Sequence, residues 1–469
     1  MNATTGAAGL DRAAFRDLEG SFRGRLVRPG DPSYRQDRRV WNGSVDRFPA
    51  LIAYCTCVAD VVAVLRFVRR TGLELAVRSG GHSFPGHSVC DDGVVADLSP
   101  MKGIRVDPEA RTVRVQAGVL LGEMDRETQR FGLAVPSGVV THTGVAGLTL
   151  GGGIGWLMRK YGLTVDQLLS VDLVTADGGL VTAGATRNEE LFWGLRGGGG
   201  NFGIATEFEF RLHPVGPVVL AGPVVWPMAE SARVMHFYRD WIEQVPDGMT
   251  TAVIHRRLLP SPDLPRELHG RPVVMVVCCW AGEVDEGERV VRPLRGFGPP
   301  LLDLCAPRPF VEHQAMLDPA FPHGHWYYFR SCNVHRLGDR VIDITAAHAP
   351  RSTSPLTSFP VFHLGGAVAR VGAEETAFDG RDAGHTFSLN ATCATERGFA
   401  QERQWARAFR TALEPFETGV YVNFLMDEGE DRVREAYGTR KYLRLRALKE
   451  HYDPGNLFHL NQNVVPGRH

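Results

Sequence analysis

The sequence has little of what would staple, anchor or electrically bias a whole chain. Its eight cysteines (Cys55, Cys57, Cys90, Cys278, Cys279, Cys305, Cys332, Cys393) are scattered over 469 residues, unlike the dense spacing of a disulfide framework, and suit reduced, buried thiols. Cys55-Thr-Cys57 has no second Cys or His pair at ligand spacing, so no metal site is expected. No apolar run is long enough to cross a bilayer. The formal net charge is -1, so no basic surplus draws the chain to nucleic acid or to an anionic membrane. The local cluster Arg440, Lys441, Arg444, Arg446 and Lys449 therefore reads as a solvated face. Residues 1–10 carry neither a basic start nor an apolar run. No secretory signal is expected there, and the expected location is the cytoplasm. Internal repeats and low-complexity segments are missing too.

What remains is an ordinary globular composition, 43% hydrophobic and 22% charged, in a chain long enough for two or three domains. The expected division is an N-terminal segment 1–30, a domain 31–215, a second domain 216–415 and a C-terminal segment 416–469. Ala59–Arg70 and Leu120–Phe131 have apolar residues at helical spacing. Leu73–Val77 reads as a strand running into Arg78-Ser-Gly-Gly81. Ile104–Val106 and Val113–Val115 alternate around a turn at Asp107-Pro108, and Leu168–Val174 and Leu180–Thr182 flank the hairpin signal Asp177-Gly-Gly179. Further on, Pro272–Val277 is strand-like and Leu259–Pro265 is a proline-rich loop.

The glycines carry the chemistry. Three clusters fall in one stretch: Ser79-Gly-Gly-His82, Gly144-Val-Ala-Gly147 running into Gly151-Gly-Gly-Ile-Gly155, and Gly197-Gly-Gly-Gly-Asn-Phe-Gly203. Glycine lets backbone N–H groups approach an anion closely. One such cluster could mark only a turn; three together point to a large polyanionic ligand such as a dinucleotide. Gly151–Gly155 does not fit Gly-x-Gly-x-x-Gly, and a Walker lysine is absent, so the anion site is of another kind.

Val77-Arg-Ser-Gly-Gly-His-Ser83 followed by Gly86-His-Ser88 resembles the flavin-attachment motif of the berberine-bridge-type oxidases, members of the vanillyl-alcohol-oxidase-like FAD superfamily. Leu191–Gly203 fits the same pattern. So do Tyr421-Val-Asn-Phe424, Ala436-Tyr-Gly438, Leu445–Lys449, Tyr452–Phe458 and Leu460-Asn-Gln-Asn-Val464 near the end. The resemblance runs from about residue 30 to 467. Among relatives it looks closest to bacterial natural-product tailoring flavoenzymes of the enterocin-pathway kind. It implies an α+β fold: a two-part PCMH-type FAD-binding domain with an α/β substrate domain built on an antiparallel sheet.

The resemblance also implies roles. Arg78, Ser79, Gly80, Gly81 and Ser83 would wrap the FAD pyrophosphate, and His82 would bond to the flavin 8α-methyl. Gly138, Val139, Thr143, Gly144 and Gly147 would run past the flavin ring. Gly203 and Ile204 would pack near the adenine, and Asn461 and Asn463 would approach the flavin edge. Many members attach the flavin a second time through Cys in Gly-x-Cys-Pro-x-Val-Gly. Here that segment is Gly138-Val-Val-Thr-His-Thr-Gly144, and Val140 has no thiol, so FAD linked through His82 only is expected. Plant relatives place a His where Leu148 stands. Thr143 matches a position where Val goes with oxygen access and Leu with its obstruction, and it reads as permitting oxygen.

Tyr421 matches a tyrosine that several relatives use as a base. A free tyrosine has a pKa of ~10 and needs nearby positive charge to act near neutral pH. Arg330, in Tyr328-Phe-Arg-Ser331, is the candidate for that charge. The catalytic Glu of plant relatives falls near Arg370. His142 could face the cofactor or the core. His323, His325, Trp326, Tyr327 and Tyr328 form an aromatic cluster suited to a flat substrate, and no further ligand to make a metal site of its histidines is apparent. The expected function is an FAD-dependent oxidase that tailors a polyketide or aromatic-like secondary metabolite by hydride transfer to flavin N5. Its partners would be the small-molecule substrate and molecular oxygen, without nucleic acid or membrane. An oxygenating flavoenzyme and a metabolite-sequestering resistance flavoprotein are the alternatives.

Overall fold

The computed structural model describes residues 11–262 and 264–467. The expectation for residues 1–10 and the Asp263 position of the Leu259–Pro265 loop fall outside the described residues. The strand expected over Leu73–Val77 spans Leu75–Arg78 and forms a parallel core with Leu51–Tyr54 and Val94–Asp97, with Arg25–Val27 antiparallel on its edge. Val94–Asp97 is buried along its whole length, as a strand covered on both faces must be. The helix Val58–Thr71 packs Val61, Val64, Leu65 and Val68 against this layer. It stops at Gly72, whose φ of 68° suits a residue without Cβ.

The two expected hairpins form. Ile104–Asp107 pairs with Thr112–Gln116, and Leu168–Val174 with Leu180–Gly184. Ile204–Arg211 joins them into a five-stranded antiparallel sheet. The helix expected over Leu120–Phe131 spans Leu121–Gln129.

From Val218 onward the described residues build a nine-stranded antiparallel sheet that includes Val218–Pro227, Pro272–Trp280, Met249–Arg257, Ser358–His363, His385–Cys393 and Trp326–Val334. Alternation sorts its residues. Val274, Val276, Phe387 and Leu389 face the helices Ser231–Ile242, Asp339–His348 and Phe399–Leu413. Val273, Met275, Val277 and Phe362 face Trp156, Leu157 and Tyr421 on the other side. The sheet ends on Glu417–Gly419, which pairs with Asn333 and Val334 beyond residue 415. The helices Glu430–Tyr437 and Thr439–Tyr452 then return, placing Tyr437, Tyr442, Leu445 and Leu448 in one apolar cluster with Leu51, Val94 and Phe208. The result is the mixed α+β architecture expected, with antiparallel sheets and a chain end that closes back on the first layer. Among the described residues no helix is long and apolar enough to cross a membrane.

Candidate functional site

A cavity of about 360 Å³ opens where the glycine loops, the second face of the large sheet and the returning chain end meet. Ser79, Gly80, Gly81, His82 and Ser83 line it from the first loop, and Gly138, Val139, Val140, Thr143, Gly144 and Gly147 from the second. Gly203 and Ile204 line a third side, and Tyr421 and Asn461 close it. The glycines are there for backbone approach. A Cβ on Gly80 would lie 2.4 Å from the nitrogen of Gly144, and one on Gly144 would lie 2.5 Å from the nitrogen of Gly80. Gly81 has φ +69°, which turns the chain so that His82 enters the cavity wall.

His82 is held from several directions. Its Nε2 is 2.7 Å from Nδ1 of His142, and its ring stacks on Trp41 at 4.8 Å. Trp41 stacks in turn on Tyr327 at 3.8 Å. His323 stands edge-on to His82 at 5.7 Å. Burial holds the His82 pKa well below 6.5, with the neighbouring imidazoles adding to it, so the ring is neutral with one lone pair available. Ring nitrogens of His82, His142 and His323 lie within 4.8 Å of one another. Further ring nitrogens do converge on His323, contrary to the expectation from sequence: His82 and His142 meet it in space. His325 stays apart, packed beside Tyr327.

The wall fits a large polar cofactor. His87 Nδ1, Ser88 Oγ and Asn461 Oδ1 line the cavity, yet each is buried without a hydrogen-bond partner, a cost that a bound polar molecule would relieve. Among the described lining residues none is cysteine, and Cys90, the nearest preceding one, places its Sγ on Val94 O. Leu148 lines the cavity as well.

Three expected site residues sit elsewhere. Arg78 is buried and its Nε donates to Asp97 Oδ2 at 2.6 Å, so its charge is spent between two parallel strands and not on the cavity. Asn463 does not line the cavity, although its Oδ1 is also buried without a partner. Arg330 is not a lining residue; its guanidinium pairs with Glu428 and lies over the Tyr328 ring. The positive charge required beside Tyr421 is therefore not supplied by Arg330. Tyr421 Oη accepts from Gly153 N–H at 2.8 Å and from Asn423 Nδ2 at 2.8 Å. Burial outweighs these bonds and raises its pKa to about 12. The phenol keeps its proton at neutral pH, and with both lone pairs engaged that proton is free to be donated.

Other residues escaped the sequence reading. Phe84 and Phe329 stack at 3.9 Å, and Phe362 and Phe424 extend the apolar wall. Ser388 Oγ donates to Asn390 Oδ1 at 2.6 Å, and both line the cavity from one face of the strand His385–Cys393. Arg370 lies away, paired with Asp247. The basic cluster is not all solvated. Lys441 is buried against Phe378 O and Asp379. Lys449 is fully buried, pairs with Asp453 at 2.7 Å and donates to Asn201 O and Phe458 O. It thereby ties the third glycine loop to the C-terminal loop, and its i,i+4 spacing from Asp453 was the available signal.

The profile of an FAD binding domain matches residues 49–184, and that of the berberine and berberine-like family matches 420–465. An FAD-linked oxidoreductase of Dictyostelium discoideum is 33% identical over 455 residues, covering 95% of this chain and 95% of its own. The (R)-6-hydroxynicotine oxidase of Paenarthrobacter nicotinovorans is 30% identical, covering 95% and 97%. The crystal structure of 6-hydroxy-D-nicotine oxidase from Arthrobacter nicotinovorans superposes with a TM-score of 0.86 at 29% identity, covering 95% of this chain and 99% of that one.

Proposed function

The chain belongs to the berberine-like family of FAD-linked oxidoreductases, and from that premise we propose an oxidase that carries FAD bonded to His82 alone, oxidises a flat and largely apolar secondary metabolite, and returns the electrons to oxygen. The observation that carries this reading is His82 itself. It is a neutral imidazole in the cavity wall, and its Nδ1 has no hydrogen-bond partner among the described residues. When bound, FAD supplies a two-electron acceptor for a hydride.

The chain's own residues would bind and orient. Backbone N–H groups of the loop Ser79–Ser83, free of side-chain bulk at Gly80 and Gly81, suit the pyrophosphate. Gly203 and Ile204 would receive the adenine end. Phe84, Phe329, Phe362 and Phe424 exclude water and favour a planar substrate. Asn390, whose Oδ1 is occupied by Ser388, keeps its amide hydrogens to donate to a substrate oxygen. Tyr421 would donate its phenolic proton to the same kind of oxygen and hold the reacting carbon in place. At a pKa of about 12 it is a donor and not a base.

The test joins cofactor and turnover. Protein precipitated in acid should keep its yellow colour, and His82→Ala should lose it. Candidate metabolites are then assayed in air and without oxygen. Peroxide formed in step with substrate use supports the oxidase, labelled oxygen in the product replaces it with an oxygenating enzyme, and stoichiometric binding without turnover replaces it with a sequestering protein.

A further inference from the structure

We propose that His142 is the positioning and proton-accepting partner of His82 during covalent attachment of the flavin, with the Asp318 carboxylate as its counter-charge. The proposal rests on the reading that His82 is the attachment residue. The 2.7 Å contact joins His82 Nε2 to His142 Nδ1. A neutral imidazole has one N–H and one lone pair. With the proton on Nε2 and donated to His142, the His82 lone pair sits on Nδ1, which has no other partner among the described residues. The Trp41 stack fixes the ring plane, and the contact to His142 admits the tautomer with the proton on Nε2, the one that leaves Nδ1 as the nucleophile. On the far side, Thr141 holds Asp318 through its backbone nitrogen at 2.8 Å and its Oγ1 at 2.5 Å. Asp318 is thus held on the residue next to His142, where its charge works against burial and against the neighbouring His323 ring to favour the protonated imidazole.

The step balances through these groups. One bond forms, from His82 Nδ1 to the flavin 8-methyl carbon. One C–H bond of that methyl and the Nε2–H bond of His82 break. The C–H electron pair reduces the ring system, and oxygen takes it back together with two protons as hydrogen peroxide. The Nε2 proton passes first to His142, whose charge Asp318 offsets. Once alkylated on Nδ1, neutral His82 can only accept at Nε2. His142 then releases a proton to solvent and remains as the donor across the same contact.

Wild type, His142→Ala, His142→Gln and Asp318→Asn are purified with FAD, and the flavin retained by acid-precipitated protein is measured. The unattached fraction is then followed in air from pH 6 to 9. His142→Ala and His142→Gln should bind FAD but attach it at least tenfold more slowly, and added imidazole should speed the Ala variant. Gln can accept the hydrogen bond but not the proton, so it separates orientation from proton transfer. Asp318→Asn should lower the plateau rate and move the rising limb of its pH profile to lower pH, because His142 loses the charge that raises its pKa. Attachment at the wild-type rate in either His142 variant overturns the proposal. A wild-type protein that releases all its flavin in acid overturns the His82 reading beneath it instead.

Discussion

Gln314 donates from Nε2 to Asp125 Oδ2 at 3.0 Å, and the same nitrogen reaches Ser137 Oγ at 3.1 Å and Gly138 O at 3.3 Å. A residue on the helix Phe310–Gln314 thus grips both the helix Leu121–Gln129 and the start of the loop that lines the cavity. Asp125 is wholly buried, and burial raises its pKa to about 7 against the opposing pull of Gln314 and Arg126. Its Oδ1 and the Gln314 Oε1 are both buried without partners; a proton on the carboxyl gives the pair a donor.

This carboxyl predicts a stability that falls with rising pH. Unfolded, it releases its proton near 3.8; folded, it holds it to about 7. Between those values the folded state binds the extra proton, so stability declines by about 1.4 kcal/mol per pH unit, on the order of 4 kcal/mol in all. Asp125→Asn removes the slope. Denaturant titrations at pH 4, 6 and 8 should show the variant gaining on wild type at each step, and parallel curves would refute the assignment.

Tyr421→Phe removes the donated proton together with the acceptor of Gly153 N–H and Asn423 Nδ2, and keeps the ring that packs on Phe424 at 4.7 Å. A lost hydrogen bond of about 1–2 kcal/mol corresponds to a fall in kcat/KM of roughly tenfold, with flavin content unchanged. A loss of ~1000-fold together with a missing pH limb is what removal of a general base would produce, and it would return the base role to Tyr421.

Local pattern made much of this legible. The glycines at 80 and 144 announced loops where backbones touch, the one at 81 a left-handed turn, and the apolar spacing of Val61, Val64, Leu65 and Val68 announced a helix. His82 stood out because it ends one of those loops. What stayed hidden depends on distant partners. Nothing near Arg330 in sequence marks Glu428 as its counter-ion. Lys449 looked like surface because charge usually means solvent, yet Asp453 and two carbonyls satisfy it in the core. Trp41 acquires its place only when Tyr327 arrives from the large sheet to stack on it. His142 could face cofactor or core until the fold put it against His82.

Thr143 lines the cavity, and its carbonyl accepts from Leu121 N–H at 2.9 Å. The backbone is thus pinned, so a longer side chain there must extend into the cavity. Thr143→Leu should slow reoxidation by oxygen at least tenfold in stopped-flow measurements and leave anaerobic reduction by substrate nearly intact. Unchanged reoxidation would show that oxygen reaches the flavin by another route.

Val140 offers the sharpest separation of the two possible linkages. It lines the same cavity as His82, on the loop where the family resemblance implies a second attachment point. Valine and cysteine are close in size, so Val140→Cys should fold and keep Thr143 N–H donating to the carbonyl of residue 140. The thiol would then face the flavin in place of a methyl. His82→Ala alone should release all flavin in acid, and Val140→Cys alone should hold it as wild type does. The double variant decides the matter. Flavin retained by acid-precipitated His82→Ala/Val140→Cys protein, and released from His82→Ala, would show that the loop is placed for attachment and that the missing thiol is what leaves His82 as the single anchor. Complete release from the double variant would mean that residue 140 does not reach the flavin, and that its valine says nothing about the number of bonds.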